Sequence, residues 1–347
     1  MVYAEVSKQF YCGLDLHGKT IYVCIMNKAG RVVVHREIPA SLTYLLRMLK
    51  PYVKSIAVCA ESTFNWYWVS DGLHSNHIPF YLGHALYIKA IHSNKKKDDR
   101  IDAKMLADLL RTQLFPLAYA YPQQMRETRD LLRRRHRFVC LRGSLVRHIK
   151  ILLYQQGYSE EFQDLSSEEQ LRSVLKYSLP SDVKLSIEHD LGLMRELERS
   201  ISKLEYHVLK SARHHDQHAL ALLFTIKGLG NILSLTILYE INTITRFESA
   251  QRLSSYSRVV KTQRQSAGKR TDRKNQKIGN PLLNWAFMQL AFSAQRFYPE
   301  IKTYTDRLKR KFGDRTAFRV LAHKFVVAIY YMLKNNKPFD VRQFVGA

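Results

Sequence analysis

An α/β amino-terminal part joined to an all-α remainder is the fold class the chain predicts, on three observations. Short β-rich runs crowd residues 10–83 and are separated by turn residues. Among them SIAVCAE (55–61) is continuously apolar, the pattern of a strand buried on both faces. From residue 124 onward apolar side chains instead recur at three- and four-residue steps, the period of helices.

The 347 residues suffice for two or three domains with proper cores, expected at 1–118, 119–215 and 216–347. A hydrophobic fraction of 46% and a charged fraction of 24% are ordinary for a globular chain. The charge balance is not. Fifty-five Lys and Arg against thirty Asp and Glu leave +25, with a pI near 9.9. A chain this basic meets a polyanion, nucleic acid or a membrane surface. No apolar run approaches the roughly 18–20 residues of a membrane span, and MVYAEVSKQFYCGLDL lacks the pattern of an export signal. Cys12, Cys24, Cys59 and Cys140 have no CxxC spacing and read as small hydrophobes in a reducing compartment. The expectation is a cytoplasmic, nucleoid-associated protein with no membrane partner.

FYCGLDLHG (10–18), TIYVCIMN (20–27) and RVVVHREI (31–38) read as an antiparallel meander, turned at Gly18-Lys19 and at Lys28-Ala29-Gly30. SLTYLLRMLK (41–50) has helical periodicity with Ser41 as N-cap. The strand 55–61 follows, then a helix over 65–74, a short strand in HIPFYLG (77–83) and the amphipathic helix of KKKDDRIDAKMLADLL (95–110). Its apolar stripe is Ile101, Met105, Leu106, Leu109 and Leu110. Three antiparallel strands followed by alternating helix and strand resemble the ribonuclease-H-like fold.

Four acids stand out on that map. Asp15 lies mid-way along the first strand among apolar neighbours, and Glu61 ends the central strand, at the edge where α/β folds place their sites. Asp99 and Asp102, three apart on a helix, are neighbours. An ionised group on a core strand costs several kcal/mol unless paired or metal-bound. Four carboxylates in one domain suit hard divalent cations, and two such ions can activate a nucleophile and stabilise a leaving oxygen in phosphodiester chemistry. The structural alternatives are that Asp99 and Asp102 complement the helix dipole and that Asp15 and Glu61 pair with arginines.

Residues 124–156 form a dense basic helix: Arg126, Arg129, Arg133, Arg134, Arg135, Arg137, Arg142, Arg147 and Lys150 face only Glu127 and Asp130. A run this one-sided reads as a phosphate-facing surface. Residues 182–213 are again helical, either a coiled-coil arm for dimerisation or a helix packed within its own protomer. Gly228 and Gly230 between two helical stretches suit a helix-hairpin-helix whose backbone N–H groups hold a phosphate, or a plain αα turn. Between Lys261 and Lys277 seven basic residues stand against Asp272, with Ser266-Ala267-Gly268 in the middle. A serine there can be a nucleophile assisted by the cations; by itself it reads as a loop hydroxyl.

Together GLDLHGKT, AVCAEST and KKKDDRIDAKMLADLL, followed by the helical hairpin, the SxGK-type loop, KIGNPLLNW and the C-terminal helix, resemble the DEDD-type transposase family of insertion sequences. The resemblance implies a RuvC-like amino-terminal domain, a helical or coiled-coil middle and a mostly helical carboxy-terminal domain with a helix-hairpin-helix. It places the metal-binding carboxylates on Asp15, Glu61, Asp99 and Asp102, with Lys97 part of the motif and Asp98, where Thr is usual, outside the set. It places the nucleophile on Ser266, with Ala267 where Gly is usual, and makes Arg264, Lys269 and Arg270 phosphate-facing. It further implies two Mg²⁺ ions, donor and target double-stranded DNA, a covalent 5′-phosphoserine intermediate, a bridge RNA that pairs with both DNAs, and a dimer or tetramer. A metal-dependent junction resolvase in which Ser266 is idle, and a non-catalytic nucleic-acid scaffold, are the alternatives.

Overall fold

A computed structural model describes residues 2–91, 99–158, 169–211, 216–260 and 278–346 in full, and the backbone alone of 168, 264–266 and 269–271. The chain divides into two compact units, Met1–Gln123 and Gln124–Ala347.

In the first unit β1 (Phe10–Leu16), β2 (Thr20–Asn27) and β3 (Val32–Pro39) form the expected meander. Gly30, at φ +82°, closes the second turn with its N–H on the Asn27 carbonyl, a left-handed position that favours glycine. Helix α1 (Leu42–Leu49) starts after Ser41, whose hydroxyl makes no capping bond. Strand β4 (Ile56–Glu61) then returns parallel to β1, and after α2 (Trp66–Ser75), β5 (Phe80–Gly83) lies parallel to β4. The resulting order, β3-β2-β1-β4-β5, is the ribonuclease-H-like arrangement. Helices α3 (Ala85–Ile91) and α4 (Asp99–Arg111) complete the unit.

The two-residue alternation of a strand sorts the sheet into faces. Cys12, Leu14 and Leu16 of β1, with Val58 and Ala60 of β4, pack with Leu45, Leu49, Val69 and Leu73 of α1 and α2. Tyr11, Ala57 and Cys59 pack on the other face against Ala103, Leu106, Ala107 and Leu110 of α4. Gly13 belongs to that second face and decides how close α4 comes. A Cβ at Gly13 would lie 2.1 Å from the Ala103 carbonyl oxygen and 2.5 Å from the Ala107 nitrogen. Helix backbone therefore rests directly on strand backbone. This also revises the expected stripe: Ala103 and Ala107 take the buried face, while Ile101 is 38% exposed, because only small side chains fit against the glycine.

The second unit begins with the long α5 (Gln123–Gln155), then α6 (Glu168–Ser173) and α7 (Ser181–Ser211). Ion pairs Arg135–Glu205 (2.6 Å), Arg142–Glu198 (3.1 Å) and His148–Asp190 (2.6 Å) show α5 and α7 running antiparallel within one chain. Their far ends share a small core of Ile149, Leu153, Ile187 and Leu191. The main core gathers α8 (Gln217–Phe224), α9 (Asn231–Ile241), α10 (Ala250–Tyr256), α11 (Pro281–Ala294), α12 (Pro299–Phe312), α13 (Asp314–Asn335) and α14 (Val341–Gly346). Strands β6 (Arg264–Ser266) and β7 (Lys269–Thr271) pair as a small antiparallel hairpin. Among the described residues α13 alone is long and apolar enough to cross a membrane, which the sequence reading did not anticipate. Half of that window is buried, and Leu321, Phe325 and Ile329 sit fully inside the core.

Replacing Gly13 by alanine drives a methyl group into the backbone of α4 and is expected to destabilise the first unit by about 3 kcal/mol. Gly18→Ala, where a Cβ meets nothing within 4 Å, is expected to stay within about 0.5 kcal/mol of the parent. Urea unfolding of the two variants checks the contrast.

Candidate metal centre and serine hairpin

Asp15 is the penultimate residue of β1, not its middle. The pairing Leu14↔Ala60 in the parallel β1–β4 ladder brings Asp15 and Glu61 to neighbouring strand ends. Alternation from Gly13 and Cys59 sends both toward the face that α4 covers. Gly13 lets the first turn of α4 ride low over those ends, and this turn carries Asp99 and Asp102. His17, two residues beyond Asp15 and so on the same face, stands between the acids: its Nε2 is 3.1 Å from an Asp15 carboxylate oxygen and 3.2 Å from one of Asp99. Asn65, in the loop after β4, donates to the His17 carbonyl at 2.8 Å and ties the two strand ends together.

Burial pushes the Asp15 carboxyl above the usual carboxylate range; His17 opposes the shift, and the negative charges of Asp99 and Asp102 add to it. Burial disfavours the charged form of His17, but Asp15, Asp99 and Glu37 outweigh it and raise the imidazole. One ligand atom each from Asp15, His17 and Asp99 lie within 4.8 Å of one another, a spread that one cation with bonds of about 2 Å spans after small side-chain shifts. Hard oxygens, a crowded negative charge and a half-buried carboxyl fit a divalent metal. Asp102 contributes charge at Asp15, and Glu61 is partly buried at the end of β4. Lys97 and Asp98 lie outside the described residues. His17 was not singled out from the sequence, although Asp15-Leu16-His17 at a strand end carries the signal.

The expected nucleic-acid residues of α5 divide. Arg134 and Arg137 are exposed. Arg126 and Arg129 are only 4% and 8% exposed, which corrects their reading as phosphate-facing. Arg129 and Arg133 turn to Glu240 of α9, at 3.0 and 2.6 Å. Burial pushes the Glu240 carboxyl up, but the hydrogen bond and charge of Arg133, the charge of Arg129 and the Asn280 amide hold it below the usual range. The helical hairpin is present between α8 and α9. Gly228, at φ +92°, packs against Ala294 and Phe297, its carbonyl accepts from Ser293, and the Lys227 N–H donates to Tyr298. Gly230 is the N-cap of α9.

Ser266 ends β6 and pairs with Lys269 across the hairpin turn; Arg264 and Arg270 stand on the same two strands, and the side chains of all four lie outside what the structure describes. Of the nearby serines, Ser254 and Ser257 are buried, so neither can meet a substrate. The base of the serine segment is tied. Arg258 Nε donates to the Ile278 carbonyl at 2.8 Å, Asn284 Nδ2 to the Arg258 carbonyl at 3.0 Å, and the Asn280 N–H to the Tyr256 carbonyl at 2.6 Å.

Because its pKa is raised, Asp15 favours folding in its protonated form. That contribution is complete below the ordinary carboxylate value and is lost as pH rises through the raised one. Asp15→Asn is therefore expected to raise the melting temperature of chelator-treated protein at pH 7. Mn²⁺ is expected to stabilise the parent, by about 2.7 kcal/mol at a hundred times the dissociation constant, and Asp15→Asn to abolish that gain. Thermal melts with and without Mn²⁺ check both.

Comparison with known proteins gives two matches on this chain. Residues 12–156 match the DEDD-type IS110 transposase family, described simply as Transposase. Residues 220–306 match the Transposase IS116/IS110/IS902 family. No curated protein matches the chain. The first match spans the sheet and α4 together with α5, the second runs from the helical hairpin through the serine segment into α12, and the two stand in this order on one chain. The chain belongs to the DEDD-type IS110 family of transposases, enzymes of phosphodiester transfer on DNA.

Proposed function

We propose that this transposase cuts and rejoins DNA through Ser266, with Asp15, Glu61, Asp99 and Asp102 as the metal-binding carboxylates. The observation that carries the reading is the convergence of Asp15 and Asp99, with Asp102 close enough to raise Asp15, at the ends of two parallel strands. Two Mg²⁺ ions held there would stabilise the charge on the attacking and leaving oxygens. In the cleavage step the Ser266 Oγ–phosphorus bond forms as the phosphorus–O3′ bond breaks; Oγ loses its proton and the departing 3′-oxygen gains one. A 3′-hydroxyl of the exchanged strand reverses these steps and frees the serine. Arg264, Lys269 and Arg270 on the hairpin, and Arg134 and Arg137 on α5, hold phosphates on this account. The glycine hairpin at Gly228 and Gly230 is a further backbone contact.

Family resemblance supports the partners: donor and target DNA, and a bridge RNA that pairs with both, so that base pairing and not the protein selects sequence. It also supports a dimer or tetramer with sites completed between subunits. The +25 charge suits the handling of several nucleic-acid strands at once.

A carboxylate centre housed in one unit also suits a metal nuclease that needs no serine, and one experiment separates the two. On a supercoiled plasmid carrying the element's own ends, with its RNA, Ser266→Ala is expected to abolish the detergent-stable protein–DNA adduct and all joined product. It is expected to leave the Mn²⁺ thermal shift intact. Cleavage at the parent rate by Ser266→Ala, with no protein–DNA adduct from the parent, would establish the metal nuclease instead.

A further inference from the structure

Glu240 lies on α9, far along the chain from the carboxylate centre, and it is 1% exposed. A carboxylate so buried needs partners, and Glu240 has them on two sides. From α5, Arg129 and Arg133 reach its two oxygens. From the other side the Asn280 amide donates to its Oε2 at 2.6 Å. Asn280 is itself 3% exposed and is used at both ends of its side chain. Its Oδ1 caps α11 by accepting from the Leu282 and Leu283 N–H groups, at 2.9 and 3.2 Å. Its backbone N–H holds the Tyr256 carbonyl at 2.6 Å. Gly279 beside it runs so close that a Cβ would lie 2.6 Å from that same carbonyl.

Asn280 is thus where the chain coming back from the Ser266 segment is fastened, both to the chain leading into it and to the start of α11. We propose that Glu240 is a positioning residue for Ser266: by holding Asn280 it fixes the base of the serine-bearing segment and couples that base to the arginine helix α5. The proposal rests on Ser266 being the nucleophile and extends that reading to how it is aimed. A misplacement of about 1 Å in a reacting group is enough to lower a rate by about a hundred-fold, so one hydrogen bond at the base of a short segment has leverage on the chemistry.

The donor and acceptor roles allow a test with its own rescue. Asn280→Asp keeps the oxygen that caps α11 and replaces only the N–H₂ that faces Glu240, setting carboxylate against carboxylate. Glu240→Gln in the same molecule restores the contact with its direction reversed: the glutamine amide takes the place of Oε2 and donates to the introduced carboxylate, its carbonyl still accepts from Arg133 Nε, and Arg129, which bonded Oε2, keeps a carboxylate in the same cluster at position 280. The measurement is the rate of adduct formation at saturating plasmid, alongside plasmid affinity and amide hydrogen exchange of residues 278–284 in the full chain.

Asn280→Asp is expected to slow adduct formation by about ten- to a hundred-fold, with affinity unchanged and exchange accelerated. The double variant is expected to recover most of the rate and the protection. An Asn280→Asp protein that forms adduct at the parent rate, or a double variant no better than Asn280→Asp alone, would overturn the proposal. Ser266→Ala run in parallel keeps the two ideas apart. If it still forms adduct, the serine reading fails, and the clamp is then judged by exchange alone, which must loosen in the single variant and tighten again in the double.

Discussion

The first unit depends on one contact in which no side chain takes part. At Gly13 the backbone of β1 meets the backbone of α4 at Ala103 and Ala107, at distances that leave no room even for a methyl group. Close packing of this kind fixes the height and the rotation of the helix together, because interiors have little slack. Asp99 sits one turn before Ala103 on the same helix and Asp102 immediately precedes it, and Asp15 sits two residues after Gly13 on the same face of the strand. Setting the contact therefore sets the distance between the acids. A helix held off by a larger residue would keep its apolar burial in part but would carry its carboxylates away from the strand ends.

Two carboxylates show how differently the protein uses buried negative charge. Asp15 is raised, since burial and two further acids work against it and the imidazole of His17 offsets them only in part. Glu240 is lowered, since two arginines and an amide more than compensate for a deeper burial. The first is an unbalanced charge that a divalent cation would balance. The second is fully balanced and serves as a joint between helices, the role in which a buried ion pair gives a defined geometry more than it gives stability. A basic chain needs both. Arg134 and Arg137 face outward, Arg129 is buried against Glu240, and Arg133 bonds Glu240 while remaining exposed.

Much of the first unit was legible because its signals are local. Alternating strands, short turns and the continuous run at 55–61 gave the sheet, and the helical spacing of Asp99 and Asp102 made them neighbours. What was not legible depends on contacts distant in sequence. Nothing near Gly13 announces that α4 will lie on it, so Ile101 looked like a core residue and Ala103 did not. The basic face of α5 looked unopposed because its acids, Glu198, Glu205 and Glu240, come from α7 and α9. Arg129 was read as a phosphate ligand for the same reason. His17 is a different case: its position two residues after Asp15 was in plain view, and only the geometry showed that it lies between two acids.

The central claim is that Asp15, Glu61, Asp99 and Asp102 surround one cation-binding site. Iron-mediated backbone cleavage tests it most directly: Fe²⁺ is bound in place of Mg²⁺, hydroxyl radicals are generated at the ion, and the cut positions are mapped by mass spectrometry. The account predicts cuts in three separate stretches of the chain, at Asp15, at Glu61 and at Asp99–Asp102, all suppressed by excess Mg²⁺. Cuts that spare any one of these stretches, or that fall elsewhere and ignore Mg²⁺, would contradict it.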